Sequence, residues 1–436
     1  MNLREILVST LCIVALSCTL SAQKVLTIED AVQIALQNNF DIKIASNELR
    51  IDEKNKSLAN AGILPVLSGN FARTNNIQDT ELTFSNGEER ITNGIRTFNQ
   101  SYGAQLQWTI FDGFRMFARY DQLKALEAQG ETELKFTILT TVSAIFNTYY
   151  EITQLQQQLV ALDTTIVISK QRLETAQNRY IIGKASKLEV LNAEVDLNTD
   201  ITARLNQNQL FANAKIRLNE ILARDVDTEF SVVDTIKVDR ALVLHDLISL
   251  ATEQNPELQL QIINKKIQEL EQKQVKANRM PNISVNTGYN FTRSENPIGF
   301  AIQSQGEGLS YGIAASIPIF NGSLQNRNEQ IAKIQLENTE MAIARQTQTL
   351  QSQLASVYQT YLTNLELIEL EAKNEEIAKE NLDITLDKFN IGTIPAVEFR
   401  AAQVNYVNAK VRYTNSQFQA KLSEIALKEL SGIISL

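Results

Sequence analysis

Two patterns of hydrophobic and polar residues alternate along the chain, and each predicts one kind of secondary structure. From Tyr102 to Ile110 every second residue is apolar, and the residues between them are small or polar. A period of two is typical of a β-strand with one apolar and one polar face. After Gly113 the period changes to that of a helix, and no proline follows until Pro256. The sequence therefore predicts a strand that leads directly into a very long helix.

The predicted long helix carries a heptad pattern. Small and apolar residues recur alternately four and three positions apart from Leu134 to Tyr180. A helix in the core of a globular domain rarely keeps this register for so long, whereas the helices of a coiled coil do. We therefore expect lengthwise packing against other helices, with an ordinary amphipathic core helix as the alternative. The second half of the chain repeats the pattern more weakly, with Asn364, Glu371 and Glu375 at core positions.

The sequence contains an internal repeat of two similar units. The phrase SYGAQLQWTIFDG, which begins at Ser101, returns as SYGIAASIPIFNG at Ser310. Such internal similarity indicates a repeated structural unit. Each unit reads as helix, strand, loop, strand, long helix, tight turn and return helix. We assign residues 23–224 to the first repeat, 225–240 to a linker and 241–436 to the second repeat.

Capping residues and prolines suggest where the elements of the first repeat begin and end. The opening helix is expected over about residues 28–64, after a cap at Thr27 and before Pro65. A strand follows to about Asn75, and a polar loop covers about residues 76–98.

The rest of the first repeat is dominated by helix. The long helix is expected over about residues 113–182, followed by a turn at residues 183–186 and a return helix that ends near Leu222. In the second repeat, a polar loop is expected over residues 293–307. We expect both polar loops to lie outside the cell.

Residues 1–22 have the features of a secretory signal peptide. Arg4 precedes an apolar run from Ile6 to Leu16, and small residues end the segment. Both cysteines, Cys12 and Cys18, lie within it, so the mature chain would form no disulfide and no thiolate metal site. In the alternative reading the segment is a lipoprotein signal and Cys18 becomes acylated.

Composition and motifs exclude several classes of function. The 436-residue chain carries 41 basic and 50 acidic residues, a net charge of −9, and its basic residues are scattered. A nucleic-acid partner needs a basic surface that follows the phosphates, so none is expected. The one histidine, His245, has neither a cysteine nor a cluster of acidic residues nearby to complete a metal site. No phosphate-binding loop or nucleophile motif occurs, so we expect no cofactor, no metal and no enzymatic activity.

The third predicted strand indicates a membrane. It alternates apolar residues at Ile283, Val285, Tyr289 and Phe291 with asparagine, serine and glycine. No second sheet is predicted to cover the apolar face, whereas lipid outside and water inside a barrel account for both faces. Four strands cannot close a membrane barrel, which needs about eight. The chain must therefore share its barrel: two copies would fill the interior with side chains, and three would leave an open lumen.

Several phrases, in their order and duplication, resemble the TolC family of outer-membrane channel proteins over essentially the whole mature chain. The phrases are LTIEDAVQIALQNN from Leu26, ATEQNPEL from Ala251, the joints WTIFDG and IPIFNG, and the turns RYIIGKASKLEVLNAE from Arg179 and KFNIGTIPAVEFRAAQ from Lys388.

The resemblance implies both a fold and a function. The fold is an α+β membrane protein in which a homotrimer shares a 12-stranded transmembrane β-barrel, continued by a long coiled-coil helical barrel across the periplasm. The function is that of a passive outer-membrane exit duct of a tripartite efflux pump or of type I secretion. The implied partners are outer-membrane lipid, a periplasmic adaptor (membrane fusion) protein and, indirectly, an inner-membrane transporter.

The resemblance also implies that the two helix–turn–helix tips dock the adaptor or line the periplasmic aperture. Good hairpin turns alone explain the glycine, serine and proline, but not the paired glutamates. Three positions that carry latching residues in relatives are Asn192, Ile394 and Ala401 here, so the same latch is not expected. The candidate site residues are Tyr180, Gly183, Ser186, Glu189, Phe389, Gly392, Pro395 and Glu398.

A protein of a different class fits the heptad pattern alone. This alternative is a secreted coiled-coil structural or adhesive protein without channel function, whose strands pack on another chain in water. It would need no lipid against its strands, whereas a duct would.

Overall fold

The computed structural model describes residues 25–433, which fall into two compact units. Unit 1 comprises residues 25–46, 134–258 and 347–433, and unit 2 comprises residues 47–133 and 259–346. The predicted signal peptide and both cysteines lie outside the described residues.

The two halves of the described chain contain similar elements in the same order. Each half begins with a short strand. The first series is β1 (Val25–Leu26), α1 (Ile28–Asn38), α2 (Phe40–Asn55), β2 (Val66–Thr83), β3 (Glu89–Phe111), α3 (Arg115–Ile181) and α4 (Lys187–Ile221). The second series is β4 (Ser231–Val232), α5 (Leu244–Gln254), α6 (Pro256–Ala277), β5 (Asn282–Glu295), β6 (Gln303–Ser316), α7 (Leu324–Ile391) and α8 (Ala396–Leu430).

The long helices have the predicted extent. α3 has 67 residues and α7 has 68, and the return helices α4 and α8 have 35 each. Among the helices of residues 25–433, none combines the length and the hydropathy that a membrane-crossing helix needs.

The start of α3 depends on an abrupt change of backbone direction after β3. Gly113 and Phe114 both have positive φ, at 73° and 67°. The Asp112 carboxylate then accepts a hydrogen bond from the backbone N–H of Met116 at 3.1 Å and satisfies a free donor of the first turn. The corresponding joint before α7 has positive φ at Gly322 and Ser323.

The opening helix differs from its prediction, because residues 28–64 do not form one helix. The chain leaves helical geometry at Asn39, whose side-chain amide donates to the carbonyl of Ile221 at 2.8 Å. The Asn39 side-chain oxygen caps α2 by accepting from the backbone N–H of Ile42 at 3.1 Å. α2 then ends at Asn55, well before Leu64.

The second half repeats this break. Asn255 separates α5 from α6, donates to the carbonyl of Leu430 at 2.9 Å and accepts from the backbone N–H of Leu258 at 2.9 Å. One asparagine in each half therefore caps a new helix and also binds the end of the return helix.

The predicted polar loops are largely strand. β2 continues to Thr83 and β3 begins at Glu89, so the expected loop over residues 76–98 contains only a short turn. Strand pairing is made by backbone groups and does not require apolar side chains. A β-bulge between Gln78 and Thr80 interrupts the ladder. In the second half, β5 and β6 likewise shorten the expected loop over residues 293–307.

Unit 2 contains an antiparallel sheet of strand order β2-β3-β5-β6. Its register pairs Tyr102 with Phe291, and the two rings stack with centroids 4.9 Å apart. Because paired residues point to the same face, the apolar faces predicted for the two strands lie on one side of the sheet. The ladders pair β2 with β3 and β5 with β6, so β2 and β6 are the edge strands.

The main core of unit 1 surrounds Tyr149 of α3. The Tyr149 hydroxyl donates to the carbonyl of Leu26 at 2.9 Å and accepts from the backbone N–H of Val233 at 3.1 Å. It thereby holds the short parallel pair β1 and β4. Ile145 and Leu218 of the same core are fully buried, which fixes α4 against α3.

A buried cluster of charges joins the linker to α8 within unit 1. Glu424 is 2% exposed, and both of its oxygens accept from Lys421 at 2.9 Å. Glu424 also accepts from Lys428 at 2.8 Å and from the backbone N–H of Asp239 at 2.9 Å. The backbone N–H of Ala241 and then the charge of Lys428 lower the pKa of the Asp239 carboxyl. The cluster therefore fixes the end of the linker.

We expect Glu424→Leu to lower the free energy of unfolding by about 3–5 kcal/mol, because it leaves the partly buried amines of Lys421 and Lys428 without their common carboxylate. Chemical denaturation would measure the change. Glu369→Leu is the control, since Glu369 pairs with Arg240 at the surface and its loss should cost at most about 1 kcal/mol. Equal effects of the two variants would contradict the importance of the buried cluster.

Candidate functional site: the two helix–turn–helix tips

Each candidate tip is a turn between a long helix and a return helix, and a left-handed glycine makes the turn. Gly183 has φ of 77° and Gly392 has φ of 85°. The next backbone N–H after each glycine closes the end of the long helix: Lys184 donates to Arg179 at 2.7 Å, and Thr393 donates to Lys388 at 3.0 Å. This geometry agrees with the role predicted for both glycines.

The return helices begin at the predicted residues. Ser186 caps α4 by accepting from the backbone N–H of Glu189 at 3.3 Å. Pro395 occupies the same position before α8 without a side-chain hydrogen bond. Glu189 and Glu398 both lie in the first helical turn, where the helix dipole favours a carboxylate. The helix start alone therefore accounts for the paired glutamates.

The two aromatic candidates have different surroundings. The Phe389 side chain is 2% exposed and stacks on Phe399 with ring centroids 5.2 Å apart. Leu382 completes this small core. Tyr180 is 47% exposed. Phe389 therefore holds the second tip together from inside, and Tyr180 offers a surface.

The first tip is held to the second by Arg179. Its guanidinium donates to the backbone carbonyl of Phe389 at 2.9 Å and lies 5.1 Å from the centre of the Phe389 ring. The carbonyl belongs to the last turn of α7, where a cation is favourable because of the helix dipole.

A second connection between the tips is ionic. Arg400 of α8 donates through two nitrogens to the two oxygens of Asp200 on α4, each at 2.8 Å. Asp196, one turn earlier on α4, lies 3.6 Å from the same guanidinium. Burial alone would lower the pKa of Arg400, but the hydrogen bond and charge of Asp200, with the charge of Asp196, raise it. A planar two-point contact of this kind also fixes orientation.

The same network reaches α3. Ser169 donates to Asp200 at 2.6 Å, and the Gln403 amide donates to Ser169 at 2.8 Å. Arg172, which is 5% exposed, donates to Asp196 at 2.6 Å. No sequence pattern singled out these residues, because they belong to three helices. The only local signal was two aspartates one helical turn apart, Asp196 and Asp200.

A cleft of about 530 Å³ lies between the tips. Its walls combine the three arginines with exposed aliphatic residues such as Leu188 and Val397. Further large apolar side chains are exposed at the turns themselves, namely Ile181, Ile182 and Ile391. Exposed apolar groups of this size are typical of protein interfaces. Among residues 25–433, no cluster of His, Cys, Asp and Glu is arranged to hold a metal ion.

We expect Gly183→Ala to destabilise the first tip by about 1–2 kcal/mol, because an L side chain is strained at positive φ. No atom lies within 4 Å of the added Cβ, so the cost is conformational and not steric. Gly183→Asn is the matched control, since asparagine tolerates this conformation better. Hydrogen exchange of the tip amides would measure local opening. Indistinguishable exchange in the two variants would contradict the conformational explanation.

The sequence and the fold are similar to those of known outer-membrane proteins. The chain is 21% identical to outer membrane protein TolC of Salmonella enteritidis over 375 residues, which cover 81% of this chain and 73% of that protein. The fold is similar to VceC of Vibrio cholerae, with a TM-score of 0.74, 14% identity and coverage of 93% and 96% of the two chains. It is also similar to CmeC of Campylobacter jejuni, with a TM-score of 0.73, 16% identity and coverage of 93% and 85%.

The model of the outer membrane efflux protein family matches residues 31–224 and 247–433. Both halves of the chain are included, so the resemblance found in the sequence is confirmed. The chain therefore belongs to the outer membrane efflux protein family and acts in the outer membrane.

Proposed function

We propose that this protein is a passive exit duct built from three copies of the chain. The observation that carries the proposal is the sheet of unit 2, which combines an exposed apolar face with two edge strands, β2 and β6. Backbone groups in lipid must all be paired, so such a sheet spans a membrane only when its edges meet those of other sheets. Three copies would close a 12-stranded barrel with an open lumen.

The width of the apolar face supports this arrangement. Leu67, Phe71, Leu309, Tyr311 and Ile313 of the edge strands are all exposed on the single chain. Along β5 the apolar residues run over nine positions, which correspond to roughly 30 Å of strand. Because barrel strands are tilted, this length covers a height of roughly 20–25 Å along the membrane normal. That height matches the apolar band of outer-membrane barrels.

Polar residues mark the limit of this band. Beyond the paired row that contains Tyr102 and Phe291, the next row on the same face consists of Arg73, Gln100, Arg293 and Gln305. Charged residues suit the interfacial region of a membrane and not its centre. We infer that the outer part of the β2–β3 hairpin, beyond this row, lies outside the cell.

The two halves are proposed to be tandem copies of one structural unit, residues 23–224 and 241–436, joined by the linker 225–240. The common order of elements and the equivalent asparagines at 39 and 255 support the duplication. Three copies of a duplicated chain would supply six similar helical hairpins to a periplasmic tunnel. The helices α3 and α7 are each long enough, at about 100 Å, to form such a tunnel.

Transport through the duct would depend on partners, because the sequence carries no nucleotide-binding motif. We propose that a periplasmic adaptor docks at the tips and connects the duct to an inner-membrane transporter. The exposed aliphatic residues at the turns and the cleft beside them support docking there. The alternative of a secreted structural protein has no comparable support, because the family match and the outer-membrane relative both favour a duct.

A charge on the lipid face tests the proposed barrel. We expect Val285→Lys to cost about 2–4 kcal/mol near the bilayer midplane, because the amine meets lipid. Asn286→Lys is the matched control, since the adjacent residue of the same strand points to the opposite face and meets water. The yield of trimer after refolding into lipid vesicles would measure both effects. Equal yields from the two variants would show that the faces are wrongly assigned.

Replacing the tip glutamates tests their proposed part in the site. Three copies would bring three Glu398 carboxylates together around the aperture, where they would attract cations. We therefore expect Glu398→Gln to reduce cation preference, measured as the reversal potential in planar bilayers.

Glu369→Gln is the control, because Glu369 is an exposed carboxylate on α7 that lies outside the tips. If Glu398 contacts the adaptor instead, the reversal potential stays constant and crosslinking to the adaptor falls. A double Glu189→Gln and Glu398→Gln variant that changes neither quantity would leave both glutamates with only their role at the helix start.

A further inference from the structure

The face of the sheet opposite Tyr102 carries only uncharged residues over most of its height. Paired residues of neighbouring strands point to the same face, so the ladders define rows that cross all four strands. On this face five complete rows run from the pair Val66 and Gln107 to the pair Thr74 and Asn99. Apart from Val66 and Ala72, their residues are glycine, serine, threonine, asparagine and glutamine. None of these described residues is acidic, basic or aromatic.

The absence of charge from these rows is not explained by the composition of the chain. The five rows hold 20 residues, and 21% of the whole chain is charged, so about four charges are expected among them. The same stretches of strand do carry charges at Arg73, Arg293 and Glu307, but all three lie on the opposite face. The two faces therefore differ in charge as well as in hydrophobicity.

We propose that the uncharged face forms a neutral wall around the barrel lumen, so that the membrane section of the duct releases large solutes of either charge. The proposal rests on the proposed trimeric duct and adds the class of solute that its membrane section passes. Amide and hydroxyl groups bind water, and the wall presents neither charges nor aromatic rings on which a solute could be retained.

The size of the proposed lumen makes the charge of its wall important. Twelve strands about 4.8 Å apart and tilted by about 40° close a barrel of roughly 12 Å radius. Inward-pointing side chains reduce the free radius to less than the Debye length, which is about 10 Å at 0.1 M salt. Every ion in the lumen would therefore sense a charge on the wall, and such a charge would select ions by sign. A neutral wall removes this selection.

The small residues of β6 favour bulky solutes. On the lumen face β6 contributes Gly306, Gly308 and Gly312, which have no side chain to extend into the passage. Nothing lies within 4 Å of a Cβ added to Gly308 or Gly312, so the space beside them is open. The wall thus combines width with neutrality.

Block of the current by ions added from one side tests the proposed wall. The parent protein is the full-length trimer with Glu189→Gln and Glu398→Gln, which removes the carboxylates proposed to act at the tips. Hexaamminecobalt and ferricyanide are a trivalent cation and a trivalent anion of similar size, and each is added in planar bilayers to the compartment that faces the β2–β3 hairpins. Only a block that depends on voltage reports a site inside the membrane field, and this criterion excludes ions held by charged residues outside it.

Two variants place charges of opposite sign on the wall, and a third is their control. Gln105 lies in the second of the five rows, so Gln105→Glu and Gln105→Lys each add three charges to the lumen of a trimer. Gln305→Glu makes the same acidic change on β6, but on the outward face.

We expect neither ion to cause voltage-dependent block of the parent. The cation should block Gln105→Glu, and the anion should block Gln105→Lys, at concentrations at least about tenfold below any effect on the parent. Gln305→Glu should behave as the parent does. Voltage-dependent block of the parent by either ion, or no block of either Gln105 variant, would overturn the proposal. A parent chain that inserts into the bilayer without conducting would instead refute the proposed duct.

Discussion

The sheet of unit 2 imposes the constraint on which the rest of the molecule depends. An antiparallel sheet with one apolar face and two edge strands is stable in a membrane only when lipid covers the face and the edges are paired. The described part of the chain supplies neither a covering layer nor partners for β2 and β6. The proposed trimer and its lipid contacts both answer this one requirement of backbone hydrogen bonding.

Sequence patterns predicted elements well where one face meets an apolar medium. The strands around Tyr102 and the long helices were predicted for this reason, and the structure confirms them. The strands continue beyond Asn75 because backbone pairing extends through polar residues, which leave no hydrophobic signal. The break at Asn39 was missed because it depends on the carbonyl of Ile221, a partner far away in the sequence.

The tips show the same division between local and distant causes. The roles of Gly183 and Ser186 follow from local backbone rules, so the sequence was sufficient to predict them. The burial of Phe389 depends on its partner Phe399, and the sequence gives both tips an aromatic residue without distinguishing their surroundings. The pair of Arg400 with Asp200 joins two helices of different repeats, a contact that no periodicity within one helix reveals.

The two halves contain similar elements, so the positions at which they differ carry more information than those that they share. Residues common to both halves, such as the turn glycines, make the same turn in each half. The ion pairs of Arg400 with Asp200 and Asp196 have no counterpart at the equivalent positions of the opposite halves, which are Leu191, Ala409 and Asn405. Since a buried pair is destabilising when one partner is missing, such charges persist only where their partner is always present. Within one chain that condition is met by covalent connection.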